Sequence, residues 1–359
     1  MNFSRLWTIA TLDLTQRIRT VSWYVLLGVF ALLLIGATML SFFAFGYIED
    51  TGAGVYSTVV FITLLLIVLV SPTLSGNTIN GDRDAATLAP VQVTQATTAE
   101  IILGKFLAAW ITGLAFAAVA VPFLLIASLG GGVNVLTVLV SAIILVVETG
   151  VIAAFGTALS GILARPLFSV AATYLVVAAL AIGTLIGFGL LGSSITSEQT
   201  YRYQSAEYDP TTGAPVCTDG SEDCWDDPEE MVCGEWETSV SRVPRFDAVW
   251  WMLAANPFVI LADATPVGFD RTGHPVDLFG YAKTAVRWAQ IPPELESSWS
   301  ECAPYADDTR TSEEVIAATV PSWFVGLGVQ LAAAGLLLWW AGARTRTPAR
   351  KLPPGTRIA

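Results

Sequence analysis

The stretch SWYVLLGVFALLLIGATMLSFFAFG, residues 22–46, is twenty-five residues long and has no charged side chain. A helix needs about 20 such residues to cross a hydrocarbon core of roughly 30 Å. Five more runs of comparable length follow, at roughly 55–75, 101–127, 133–163, 167–192 and 319–342. Their apolar character is continuous rather than alternating, so they read as helices and not as strands of a membrane barrel. The expected fold is therefore an all-α membrane protein of six transmembrane helices. The first run lacks a small-x-small cleavage site and exceeds a signal h-region, so it reads as an anchor that stays.

Charge is segregated along the chain. The formal net charge is −12, but 23 of the 30 acidic residues fall between Ser193 and Ala318. Eleven of the 18 basic residues lie instead in the N-terminus, the loops at 76–105 and 164–166, and the C-terminal tail. Lys and Arg in short loops mark the cytoplasmic side. Arg5, Arg17, Arg19, Arg83, Arg165, Arg344, Arg346, Arg350 and Lys351 are thus expected inside. An even number of spans then places both termini in the cytoplasm and residues 193–318 outside.

The organisation that follows is a cytoplasmic-surface helix at 1–20, spans one to five over 21–192 with a cytoplasmic loop at 76–100, an extracellular domain at 193–318, a sixth span at 319–342 and a basic tail at 343–359. In the first segment Phe3, Leu6, Trp7, Ala10, Leu14 and Ile18 recur at helical spacing, with Arg5, Thr8, Asp13, Gln16, Arg17 and Arg19 largely between them. That pattern suits an amphipathic helix in the inner headgroup region. All four cysteines, Cys217, Cys224, Cys233 and Cys302, fall in the extracellular segment. An even number in an oxidising compartment reads as two disulfides, with three possible connectivities. A metal site is not expected: there is no CxxC pair, and the only histidine, His274, is distant from the clustered cysteines.

Within the extracellular segment, FDAVWWMLAANPFVILADATP (246–266) has the length of a span but contains Asp247, Asp263 and an Asn256-Pro257 break. It is expected to lie along the outer surface as two short helices or to roof a translocation path, with the following AKTAVRWAQIPPELESSW exposed. Glu148 is the one acid well inside a span, and an acid at a helix centre costs about 2.5 kcal/mol or more if it faces lipid. It is a candidate for the translocation path, against the plainer reading of a protonated acid hydrogen-bonded across the bundle. Trp110, Trp323, Trp339 and Trp340 read as interface belts.

The loop GDRDAATLAPVQVTQATTAEIILGKFLAAW (81–110) is short, polar and broken by Pro90, and Thr97 or Thr98 with Glu100 can cap the helix that follows. It resembles the signature of type-2 ABC transporter permeases. Asp82, Arg83 and Asp84 match the acidic-basic-acidic triplet, Thr87 and Leu88 its Thr-Leu, Thr94 the threonine of its Thr-Pro, and Glu100, Ile101, Gly104 and Lys105 the entry to the third span. Ala86 and Gln95 depart from the usual glycine and proline, and Pro90 is extra. The resemblance implies an elbow helix, six spans and a coupling helix, formed here by Asp82, Arg83, Asp84, Thr87, Leu88 and Thr94, that docks on an ATP-binding subunit.

The function so implied is the permease subunit of an ATP-driven exporter, paired with a second permease copy or a homologue and with two ATPase subunits. No GxxxxGK[ST] occurs in the chain, so ATP and Mg are expected in the partner and no enzyme activity or cofactor in this subunit. Nucleic acid is not among the expected partners. The alternative is a sensor or assembly scaffold in the cell membrane, with an extracellular ligand-binding domain.

Overall fold

The structure, a computed structural model, describes residues 2–46, 50–85, 96–221, 224, 228–303 and 310–345. Among the described residues six helices are long and apolar enough to cross a membrane. Span 1 is Val21–Phe45, span 2 is Thr51–Ser75, span 3 is Thr98–Ser128, span 4 is Val135–Ile162, span 5 is Pro166–Ser194 and span 6 is Trp323–Thr345. Span 2 continues through a turn into a short helix, Asn80–Asp84. Span 2 is the most enclosed, with 61% of its apolar window buried against 17% in span 5, so the bundle is built around it. Val55, Tyr56, Val59, Leu64 and Ile67 of span 2 meet Phe30 and Leu34 of span 1, Phe116 of span 3 and Ile144 and Leu145 of span 4. Lipid is as apolar as leucine, so what holds such helices together is close packing and hydrogen bonds between them.

A helix over Phe3–Ile18 precedes span 1, capped by Asn2, whose side chain accepts from the Ser4 N–H. It packs on the first turns of span 3, and its Leu6 and Ala10 are buried there. Span 5 is not regular: residues Ala179–Gly183 form a π turn, which frees backbone carbonyls from the α-helical ladder.

The segment after span 5 corrects the all-α expectation. Strands β1 (Thr196–Ala206), β2 (Cys233–Pro244) and β3 (Glu296–Ser300) form a sheet in the order β2-β1-β3. β1 and β2 are antiparallel, from Thr196 opposite Pro244 to Ala206 opposite Cys233, and β3 runs parallel to β1. The strands mix Thr, Tyr, Val and Trp with polar residues, which is β-forming but carries no long apolar run. The hairpin stands on the end of span 5, where the Arg245 N–H donates to the carbonyls of Gly192 and Ile195. The Arg245 guanidinium is tied to Asp247 and to Ser197.

Residues 246–266 form short helical segments as expected, but most of their length packs into the end of the bundle, with Trp251 left exposed. They form 3-10 turns at Phe246–Ala248 and Trp250–Ala255 and a helix over Pro257–Ala264. Ile260 and Leu261 of that helix belong to the same core as the spans. The approach to span 6 is so close that a Cβ on Gly326 would overlap the Ala254 carbonyl oxygen, so only glycine fits. The helix Leu278–Trp288, expected to be exposed from Ala282 onward, is amphipathic instead and buries Phe279, Lys283, Val286 and Arg287. Trp110 is half-buried and donates from Nε1 to the Val146 carbonyl at 2.9 Å, whereas Trp339 and Trp340 are exposed as belt residues are.

Candidate functional site

Two clusters of charged and polar side chains stand out, one at each end of the bundle. At the end that carries the N-terminal helix, span 2 turns into Asn80–Asp84 because its last turn is caught by polar groups of spans 4 and 5. Ser160 Oγ accepts from the Ile79 and Asn80 N–H groups at 2.9 and 3.1 Å. Asn80 Nδ2 donates to Ser169 Oγ at 2.9 Å, and Ser169 Oγ donates to the Gly76 carbonyl at 2.6 Å. These groups are buried, where a satisfied hydrogen bond fixes geometry and a lost one is expensive.

On this scaffold sits the charged triplet. Asp82 is 35% exposed at its side chain, and its Oδ2 lies 2.6 Å from Lys105 Nζ. Lys105, two turns into span 3, is 7% exposed and also lies 3.7 Å from Asp13 of the N-terminal helix. Asp13 in turn pairs with Arg17 at 3.2 Å. Four charges, two of each sign, are thus gathered between three elements. Lys105 is enclosed by these acids, and Asp82 is not a free surface acid. Arg83 is half-buried and Asp84 is exposed. Thr87, Leu88 and Thr94, the remaining residues of the loop signature, lie outside the described residues, as do Pro90 and the departures at Ala86 and Gln95.

Span 3 begins as the sequence indicates. The Thr97 side chain accepts from the Glu100 N–H at 3.3 Å, and Glu100 Oε2 accepts from the Thr97 N–H at 2.8 Å. Sequence reading missed the second use of this acid: Glu100 Oε1 accepts from the Asn2 N–H at 2.6 Å, which pins the start of the N-terminal helix. Nothing in the spacing of residues 98 apart signals that contact.

Glu148 is 1% exposed, and neither of its oxygens has a hydrogen-bond partner among the described residues. It lies on the same helical stripe of span 4 as Val151, Ala154 and Phe155, which pack on Ala334 of span 6. It lines neither of two apolar clefts beside span 6. One, of about 380 Å³, lies between spans 3 and 6 and is lined by Ile102, Leu103, Gly335 and Trp339. The other, of about 370 Å³, is lined by Trp250, Trp251, Val325 and Val329.

The second charged cluster lies at the insert end. Asp263, on the helix Pro257–Ala264, accepts from Arg287 Nε at 2.8 Å through Oδ1. Its Oδ2 accepts from the Ser322 N–H at 2.6 Å, from Ser322 Oγ at 3.0 Å and from the Trp323 N–H at 3.1 Å. Span 6 therefore starts on a carboxylate supplied from 59 residues earlier. Asn256 fills the π turn of span 5, donating from Nδ2 to the Ala181 carbonyl at 2.8 Å and to Thr184 Oγ1 at 3.0 Å. Lys283 donates to the Thr265 carbonyl at 2.8 Å, and burial pushes its ammonium below the ordinary lysine value. Burial likewise pushes the Asp277 carboxyl up to about 6.

The cysteines pair as Cys217–Cys224 and Cys233–Cys302. The second bond joins the start of β2 to the turn after β3, closing one end of the sheet. Among the described residues no three His, Cys, Asp or Glu side chains are gathered as a metal would require. Comparison of the chain with protein-family models and with curated proteins gives no match.

Proposed function

We propose that this chain is the membrane-spanning permease subunit of an ATP-binding-cassette exporter of the type-2 kind. It would sit in the cell membrane with both termini cytoplasmic and the disulfide-bonded insert outside. Its partners would be a second permease, identical or homologous, and two ATP-binding subunits that hold ATP and Mg. The observation that carries this reading is the short helix Asn80–Asp84, which bears the triplet of the loop signature and continues the most enclosed span of the bundle. A displacement applied there enters the core directly, as transmission between rigid bodies requires.

The reading assigns the triplet unequal parts. Asp82 is engaged within the chain by Lys105, so Arg83 and Asp84 are left to meet a partner. The test is affinity purification of the tagged chain in mild detergent, with Arg83→Ala/Asp84→Ala beside it. An ATP-binding subunit is expected to copurify with the parent chain and to be depleted from the double variant. Truncating charges in a desolvated contact costs about 2–5 kcal/mol, which is at least a thirtyfold loss of affinity, whereas rim charges cost little. Equal recovery of the ATPase with both chains, or no ATPase with either, overturns the docking assignment.

A further inference from the structure

The Gly104-Lys105 pair at the start of span 3 performs two different tasks on one helical turn. A Cβ at Gly104 would stand 2.9 Å from Ile9 Cγ2 and 3.0 Å from the Leu6 carbonyl oxygen, so glycine is what lets the N-terminal helix rest on span 3. The next residue then emerges where three elements meet. Its ammonium lies 2.6 Å from Asp82 of the short helix and 3.7 Å from Asp13 of the N-terminal helix. Lys105 and Asp13 are largely withdrawn from water and Asp82 partly so, with side-chain exposures of 7%, 16% and 35%. Ion pairs in such a setting are screened far less than surface pairs.

Each of the two helices has its own hold on the bundle. The short helix is pinned at Asn80 by Ser160 and Ser169, and the N-terminal helix at Asn2 by Glu100. Those anchors fix one end of each element. Asp82 and Asp13 lie further along their helices, where Lys105 is the cation that both approach.

We propose that Lys105 is a positioning residue that latches the short helix, the N-terminal helix and span 3 into one rigid unit. A displacement of Asn80–Asp84 is then carried into span 3 and the N-terminal helix as well as into span 2. This rests on the coupling reading for its functional meaning, but the latch itself is a property of the isolated chain.

The test uses the full chain in lipid nanodiscs with spin labels at Leu12→Cys and Ala85→Cys, both exposed positions. The four native cysteines are bonded in pairs and do not compete for label. The parent is expected to give one narrow distance distribution. Lys105→Met and, separately, Asp82→Asn are expected to widen it at least twofold, and Lys105→Arg to restore the parent width. If Lys105→Met does not insert, Asp82→Asn carries the test, because that side chain is partly exposed and its loss leaves the Asn80 anchor intact. Parent-like widths in Lys105→Met and Asp82→Asn overturn the latch, as does a Lys105→Arg distribution as broad as that of Lys105→Met. Widening in Lys105→Met and Asp82→Asn, together with undiminished ATPase copurification by Arg83→Ala/Asp84→Ala, keeps the latch and removes the docking reading, so the two fail separately.

Discussion

Replacing Asp263 with alanine should be among the most damaging single changes to this fold. The carboxylate is 2% exposed and accepts four hydrogen bonds, one from Arg287 and three from Ser322 and Trp323 at the start of span 6. Among the described residues, its removal leaves the Arg287 guanidinium buried with only its contacts to Thr319. Truncating one side of a buried ion pair costs about 3–5 kcal/mol, and the orphaned N–H groups at the helix start keep the estimate at the upper end of that range. For a chain of this size roughly 2 °C is lost per kcal/mol, so the apparent melting temperature should fall by about 8–10 °C. Asp263→Asn, which keeps an acceptor toward Ser322 but loses the charge, should fall about half as far. The assay is the temperature at which half the detergent-purified protein leaves the monodisperse gel-filtration peak. Because an apolar pair of similar volume can replace a buried ion pair at little cost, Asp263→Leu/Arg287→Met should recover part of the loss. A fall of less than about 2 °C in Asp263→Ala, or a double variant worse than the two singles combined, refutes the reasoning.

Three further outcomes are expected. Cys233–Cys302 spans 69 residues and Cys217–Cys224 only 7, so removing the first by Cys→Ser changes should destabilise the insert by about 4 kcal/mol and the second by about 2–3, read as protease resistance of the insert. Equal effects would contradict the loop-entropy argument. Asp277 rises from 3.8 to about 6 through burial, so it contributes stability that is complete below pH 3.8 and lost as pH climbs through 6, at most about 3 kcal/mol. Asp277→Asn, which can still cap Gly280, should therefore lose less stability than the parent between pH 4 and 7, and parallel pH profiles would exclude the assignment. Glu148→Gln is isosteric and breaks no hydrogen bond among the described residues, so its melting temperature should match or exceed the parent's. A fall comparable to that of Asp263→Ala would show that the carboxylate has a bound partner.

The six spans were legible because each is a property of one continuous stretch, and hydrocarbon thickness leaves a helix few other solutions. The insert was less legible. Asn256, Pro257 and Asp263 mark residues 246–266 as a segment that does not span, and that holds. The same three residues are also what seats the segment within the bundle. Asn256 satisfies the π turn of span 5, Pro257 opens the helix that Asn256 caps, and Asp263 receives the start of span 6. A polar residue in an apolar run signals that a partner is needed, but the partner lies 72 or 59 residues away and has no local pattern. The sheet was missed for a related reason. β2 is exposed along most of its length and β1 is mostly half-buried on both faces, so neither carries the apolar alternation that announces a strand with one buried face.

The charged loop shows the same limit in a form that bears on function. Read one at a time, Asp82, Arg83 and Asp84 are three equivalent charges on a polar hairpin, and Lys105 is a lysine near an interface. Asp13 belongs to another segment altogether. The fold makes these residues unequal: Asp82 and Asp13 converge on a lysine 7% exposed, while Asp84 remains in the open. A charge held by an internal partner cannot also be the strongest contact of an external one, because each new pairing must first break the old. The triplet therefore divides into an inner residue that sets the position of the short helix and outer residues free to be read by a partner. On that division, Asp82→Asn should alter the geometry of the chain even in the absence of any ATPase, and Asp84→Asn should not.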